Sequence, residues 1–178
     1  MAKRALLVVD LLRDFIDDDG ALTCGPPGHR AVAGAAKELG RARQEGWTVV
    51  YACDRHLPDD GEFRLYPPHC LVGTKGAEIV PEVAPEPGEL VIPKRRFDAF
   101  FETPLDLFLR EQGVDTVRIV GVCTNICVFF TAAHATMLGY RVEIPVAAVA
   151  SFSEESHRHA LRELRDVLKA ELIEEGTT

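Results

Sequence analysis

Residues 119–133 read IVGVCTNICVFFTAA. An apolar run turns through Gly121 and continues as a second apolar stretch with helical character, so a strand passes directly into a helix. Two thiols, Cys123 and Cys127, bracket that passage. A strand feeding a helix is half of a βαβ unit, and such units build parallel sheets.

The same alternation runs along nearly the whole chain. Working outward, residues 115–122 form the strand and 124–139 the helix, closed by Gly139. Earlier strands are predicted at 5–10, 47–53 and 88–94, and later ones at 140–145 and, as a sixth candidate, 170–173. Helical spacing appears over 28–46, 103–113 (Thr103 as N-cap, Pro104 in the first turn) and 153–168. The run 5–10 is apolar without alternation, which suits a strand buried on both faces. The expectation is one domain over 1–178: an α/β fold of three αβα layers around a mainly parallel, Rossmann-like open sheet of five or six strands. Residues 54–88, rich in Pro, Gly, Asp and His with a short helical hint near Gly76–Val80, form a loop long enough to expect a functional role.

Composition narrows the function classes. A hydrophobic share of 47% excludes wholesale disorder. A net charge of −8 argues against nucleic acid, since Lys94-Arg95-Arg96 is the only run of three basic residues. The apolar run after Lys3-Arg4 stops at Asp10, too soon for a signal peptide, and no segment has the length of a membrane span. A cytoplasmic protein is expected. The five cysteines are odd in number and irregularly spaced, which argues against a disulfide framework.

Ligands of open parallel sheets bind outside the carboxyl ends of the strands. Those ends carry Asp10, then Asp54 and His56, then Lys94, with Cys127 in the first turn of the helix after the fourth strand. Each has a bland reading: a turn cap, a polar loop, a solvated charge, a small core residue. Together they supply an acid–base group, a cation and a nucleophile on one edge. The helix N-terminus and a neighbouring lysine would depress the Cys127 thiol pKa. Asp54 and His56 lie two apart, so on an extended segment they face one side. Glu62 and His69 would complete a nitrogen–oxygen shell suited to zinc, with manganese or iron as alternatives. The segments 17–20, 25–28 and 157–159 and His134 carry no such chemistry and read as structural.

These motifs resemble the isochorismatase-like cysteine hydrolases, and among them bacterial nicotinamidases, from VVDLLRDF through GVCTNICVFFTAAHATMLGYRVEIPVAAVASF. The resemblance implies Asp10, Lys94 and Cys127 as the catalytic triad. It implies Asp54, His56, Glu62 and His69 as ligands of one divalent metal ion. It further implies a cis peptide at Val122–Cys123, an oxyanion hole from the backbone amides of Cys123 and Cys127, and a pocket lined by Phe15, Tyr66 and Phe97. Tyr66 stands where tryptophan or phenylalanine is usual, and Asn125 where an acid is common; the resemblance puts both in the pocket region. The implied activity is hydrolysis of nicotinamide to nicotinate and ammonia through a cysteine thioester. Hydrolysis of another small amide, or a catalytically idle binding domain of the same fold, are the alternatives. The expected partner is a small-molecule amide, with no nucleic acid and no membrane; a homo-oligomer is left open.

Overall fold

In a computed structural model, which describes residues 3–174, seven strands form one sheet. The strands are β1 (Arg4–Val9), β2 (Thr48–Asp54), β3 (Leu90–Lys94), β4 (Thr116–Val122), β5 (Arg141–Pro145), β6 (Val149–Ala150) and β7 (Glu171–Ile173). The order is β3-β2-β1-β4-β5-β7, every pairing is parallel, and β6 extends the sheet beside the end of β4. The helices are α1 (Arg13–Ile16), α2 (Gly25–Gln44), α3 (Leu105–Glu111), α4 (Cys127–Met137) and α5 (Glu154–Asp166).

Side chains of a strand point alternately to the two faces, and β1 uses both. Leu6 and Val8 join one core with Val32, Ala35 and Leu39 of α2. Ala5, Leu7 and Val9 join the other with Leu105 and Leu109 of α3, Val128 and Ala132 of α4, and Leu164 of α5. The result is the three-layer α/β architecture expected from the sequence. Among the described residues no helix is long and apolar enough to cross a membrane.

The chain lays β2 and β3 on one side of β1, then crosses to place β4 on the other side. The crevice at the ends of β1 and β4 is therefore the topological switch point, where such sheets bind ligands. The register puts Asp54 opposite Lys94 and Val9 opposite both Ala52 and Gly121. Three strand ends thus deliver their polar residues to one level.

Several boundaries differ from expectation. The sheet has seven strands, because β6 is two residues long and too short to show a period. Helix α2 starts at Gly25, three residues before the expected start at 28, and takes Pro26 and Pro27 into its first turn, where the missing N–H groups cost nothing. Helix α3 starts at Leu105, with Pro104 at the N-cap position; Thr103 Oγ1 accepts from the Leu105 N–H at 3.3 Å. Helix α4 begins at Cys127, so residues 124–126 form the turn before it. The long loop contains three 3₁₀ turns, Gly61–Arg64, Lys75–Ala77 and Pro81–Val83.

Gly121 holds the decisive stretch against β1. Its φ is +124°, and an added Cβ would overlap the Val9 carbonyl oxygen. Gly121→Ala should cost about 3 kcal/mol through backbone strain and overpacking. Urea unfolding checks this, and a variant with an unchanged midpoint and slope would contradict the close approach.

Candidate active site

Lys94 is 1% exposed, and its ammonium is the centre of the site. Nζ lies 2.7 Å from Asp10 Oδ2 and 2.6 Å from Asp54 Oδ1. It also donates to the Arg96 carbonyl at 3.2 Å and lies 3.6 Å from Cys127 Sγ. A second tie joins the carboxylates: the Asp54 N–H donates to Asp10 Oδ1 at 2.8 Å. Asp10 adopts a φ of +52°, just past the end of β1, and its own N–H donates to the Ala52 carbonyl at 3.1 Å. The fully buried Asp10 and Lys94 are therefore neither a simple turn cap nor a solvated charge.

The two carboxyls are driven apart. Burial and the Asp54 charge push Asp10 up to about 6, against the pull of the Lys94 ammonium. Burial also opposes ionisation of Asp54, but Lys94, through its charge and its hydrogen bond, holds it well below the usual range. Burial works against the Lys94 charge, yet Asp10, Asp54 and Cys127 raise its pKa well above the ordinary value. Asp54 is thus the fixed anion, and Asp10 is the carboxylate able to exchange a proton near neutrality.

Cys127 opens α4, as the sequence placed it, but its thiol does not have the depressed pKa expected from the sequence. Burial pushes it well above the ordinary value, and Lys94 is the neighbour pulling it down. The resting thiol keeps its proton, and its sulfur lies within 4.8 Å of an Asp10 carboxylate oxygen. Val122–Cys123 is a cis peptide. Around this turn the Thr124 N–H donates to Ala150 O, while Ile126 and Val128 both donate to Cys123 O.

Asp54, His56, Glu62 and His69 form a second cluster that shares Asp54 with the first. Each offers one donor atom, and the four donors lie within 4.8 Å of one another. His56 Nε2 is 3.6 Å from Asp54 Oδ2 and 3.8 Å from Glu62 Oε1, and His69 Nε2 is 3.8 and 3.9 Å from the same two atoms. An isolated parallel bridge, His56 with Leu71, brings the two histidines together across the loop. His56 Nε2 and Glu62 Oε2 are buried without a hydrogen-bond partner. Burial and the Asp54 charge push the Glu62 carboxyl up. Orphaned buried donors around an excess of negative charge fit a divalent cation, and the nitrogen–oxygen set without thiolate suits zinc, manganese or iron.

Phe15, Tyr66 and Phe97 all line the pocket above Cys127. Tyr66 meets Phe97 edge-on, with ring centroids 6.0 Å apart, and Phe15 packs against His69 at 5.4 Å. Asn125 sits between the lining residues Cys123 and Ile126, and its Oδ1 accepts from the Ser151 hydroxyl. Leu22, Ile126 and Phe152 complete the wall. Their sequence segments lie far apart, and only the topology joins them. Asp14 and Asp60 also went unmarked, although Asp14 Oδ2 accepts at 2.7 Å from the N–H of Cys70, the residue after His69. The one available signal for Asp60 was its place two residues before Glu62, as a cap for the 3₁₀ turn. His157, set aside as structural, shares a 2.8 Å hydrogen bond between its Nδ1 and Thr124 Oγ1.

Comparison with known proteins agrees with this geometry. A family model described as the isochorismatase domain matches residues 4–174. The isochorismatase family protein PncA of Bacillus subtilis is 37% identical, over 97% of this chain and 100% of that protein. The solved pyrazinamidase/nicotinamidase of Streptococcus mutans superimposes with a TM-score of 0.92 at 37% identity, over 96% of this chain and 100% of that one. The pyrazinamidase of Pyrococcus horikoshii, solved in complex with zinc, gives 0.90 at 30% identity over 97% and 99%. The chain belongs to the isochorismatase family.

Proposed function

We propose that this amide hydrolase converts nicotinamide to nicotinate and ammonia, through a thioester on Cys127, within a single domain spanning 1–178. The observation that carries the reading is the Lys94 ammonium, which links Asp10, within reach of the thiol, to Asp54 of the metal-type cluster. The relatives named for nicotinamide and pyrazinamide support the substrate class.

Because burial keeps the thiol protonated, Asp10 must take that proton as sulfur attacks the amide carbon. Lys94 stabilises both the ionised acid and the sulfur as negative charge develops. The family resemblance assigns the oxyanion to the backbone amides of Cys123 and Cys127; in the same turn those of Thr124, Ile126 and Val128 donate to carbonyls. Collapse breaks the C–N bond while Asp10 returns its proton to nitrogen, releasing ammonia. Water then attacks the thioester with Asp10 as base, giving the acid and restoring the thiol. Phe15, Tyr66 and Phe97 hold the ring and exclude bulk water. Asp54, His56, Glu62 and His69 would hold a divalent ion, zinc in first place with manganese or iron as alternatives, supplying a Lewis-acid position for a neutral ring nitrogen. The five free cysteines fit a reducing compartment, and we place the reaction in the cytoplasm.

Cys127→Ala should abolish ammonia release, while Cys123→Ala should keep much of it, because the role proposed for Cys123 uses its backbone. Equal losses in both would reject the nucleophile assignment. Asp10→Asn should lower turnover by roughly a hundred- to ten-thousand-fold and should slow alkylation of Cys127, since the proton acceptor is gone. Near-normal turnover in a folded Asp10→Asn protein would place the base elsewhere.

A paired assay tests the substrate. Benzamide keeps the carboxamide and the shape but replaces the ring nitrogen with C–H. With zinc supplied, kcat/KM should favour nicotinamide by about tenfold or more, since tenfold needs only about 1.4 kcal/mol. After chelation, or in His56→Ala, that preference should largely vanish. Equal efficiency on both amides would remove the ring-nitrogen anchor and turn the reading toward another small amide; no release from any of a panel of small amides would favour an idle domain.

A further inference from the structure

Asp60 has no place in the chemistry above, yet its side chain is completely buried beside the metal-type cluster. Four donors converge on it. His56 Nδ1 lies 3.1 Å from Oδ2, and the Glu62 N–H donates to Oδ1 at 3.0 Å. Arg95 Nε donates to Oδ2 and Arg96 Nη1 to Oδ1, each at 2.9 Å. Two guanidinium groups keep a carboxylate ionised, and an ionised carboxylate only accepts. The proton between Asp60 and His56 therefore sits on His56 Nδ1. That leaves the lone pair of a neutral His56 on Nε2, the buried atom that has no hydrogen-bond partner and faces Asp54 and Glu62.

The same carboxylate fixes a second ligand and a second segment. By accepting from the Glu62 N–H it caps the 3₁₀ turn Gly61–Arg64, which sets where the Glu62 side chain starts. By holding Arg95 and Arg96 it pins this loop to the residues that directly follow Lys94, whose Nζ donates to the Arg96 carbonyl. His69 is oriented differently: its Nδ1 lies 2.8 Å from the Pro67 carbonyl, a contact within its own loop.

We propose that Asp60 is the positioning residue of the metal centre: it fixes the Nδ1–H tautomer of His56, sets the turn that presents Glu62, and locks both to the Lys94 segment through Arg95 and Arg96. This rests on the reading of Asp54, His56, Glu62 and His69 as metal ligands. Loss of such an outer partner typically weakens metal binding ten- to a hundredfold.

The test measures zinc(II) affinity of chelator-stripped protein by competition with a chromophoric chelator, alongside nitrogen NMR of the His56 ring. Wild type should bind one zinc and carry its ring proton on Nδ1 before zinc is added. Asp60→Ala should bind zinc ten- to a hundredfold more weakly. Asp60→Asn keeps an acceptor for His56 but loses the charge that holds the arginines, and should fall between the two. In Asp60→Ala the His56 ring proton should no longer be confined to Nδ1, a spectroscopic change that general loosening of the site would not single out. Zinc affinity within threefold of wild type in folded Asp60→Ala, or a wild-type His56 proton on Nε2, overturns the proposal. Should the alanine variant not fold, the asparagine variant and the wild-type ring spectrum decide the matter. Failure of the wild type itself to bind zinc would instead overturn the metal reading on which the proposal stands.

Discussion

One buried ammonium between two buried carboxylates organises this molecule. Lys94 reaches Asp10 at 2.7 Å and Asp54 at 2.6 Å with almost no exposure to water. Burying an isolated ion costs several kcal/mol even after relaxation, so none of the three charges is stable there alone. Their pairing fixes the protonation pattern. Asp54 stays ionised as part of the metal-type shell, Asp10 is left as the carboxyl able to exchange a proton near neutrality, and Lys94 keeps its positive charge beside a protonated thiol. The thiol site and the metal-type cluster are thus joined through one side chain rather than set in separate pockets.

The sheet makes that triad possible. Parallel pairing aligns strand ends, and the register that sets Asp54 against Lys94 and Val9 against Ala52 brings three chain segments to one level. The crossover from β3 to β4 opens the crevice in which Cys127 faces the triad. Gly121 permits the tight approach of β4 to β1 that closes the distance. The loop after β2 then folds back, and the His56–Leu71 bridge carries His69 beside His56.

Much of this was legible in the sequence, for a definite reason. Alternating strands and helices imply strand ends on one edge, so Asp10, Asp54, Lys94 and Cys127 could be joined without coordinates. The likeness to a family extended this to Glu62, His69 and the cis peptide at Val122–Cys123, and both side chains and the peptide appear where expected. Quantities that depend on burial were out of reach. The thiol pKa was expected to be low because helix terminus and lysine were visible in the pattern, whereas the desolvation that outweighs them was not. Asp60 looked like one more acid in a polar loop, since its arginine partners lie more than thirty residues away. Strand β6 was too short for any periodicity, and the hydrogen bond from Ser151 to Asn125 joins segments that sequence alone does not connect.

The most direct measurement is trapping of the covalent intermediate. Wild-type protein, loaded with zinc and mixed with excess nicotinamide, is acid-quenched during turnover, digested and mapped by mass spectrometry. The account predicts a nicotinoyl thioester on the peptide containing Cys127, released by hydroxylamine, with Cys123 unmodified. Turnover of nicotinamide with no acyl group on Cys127 at any quench time, or with the acyl group on another residue, would contradict it.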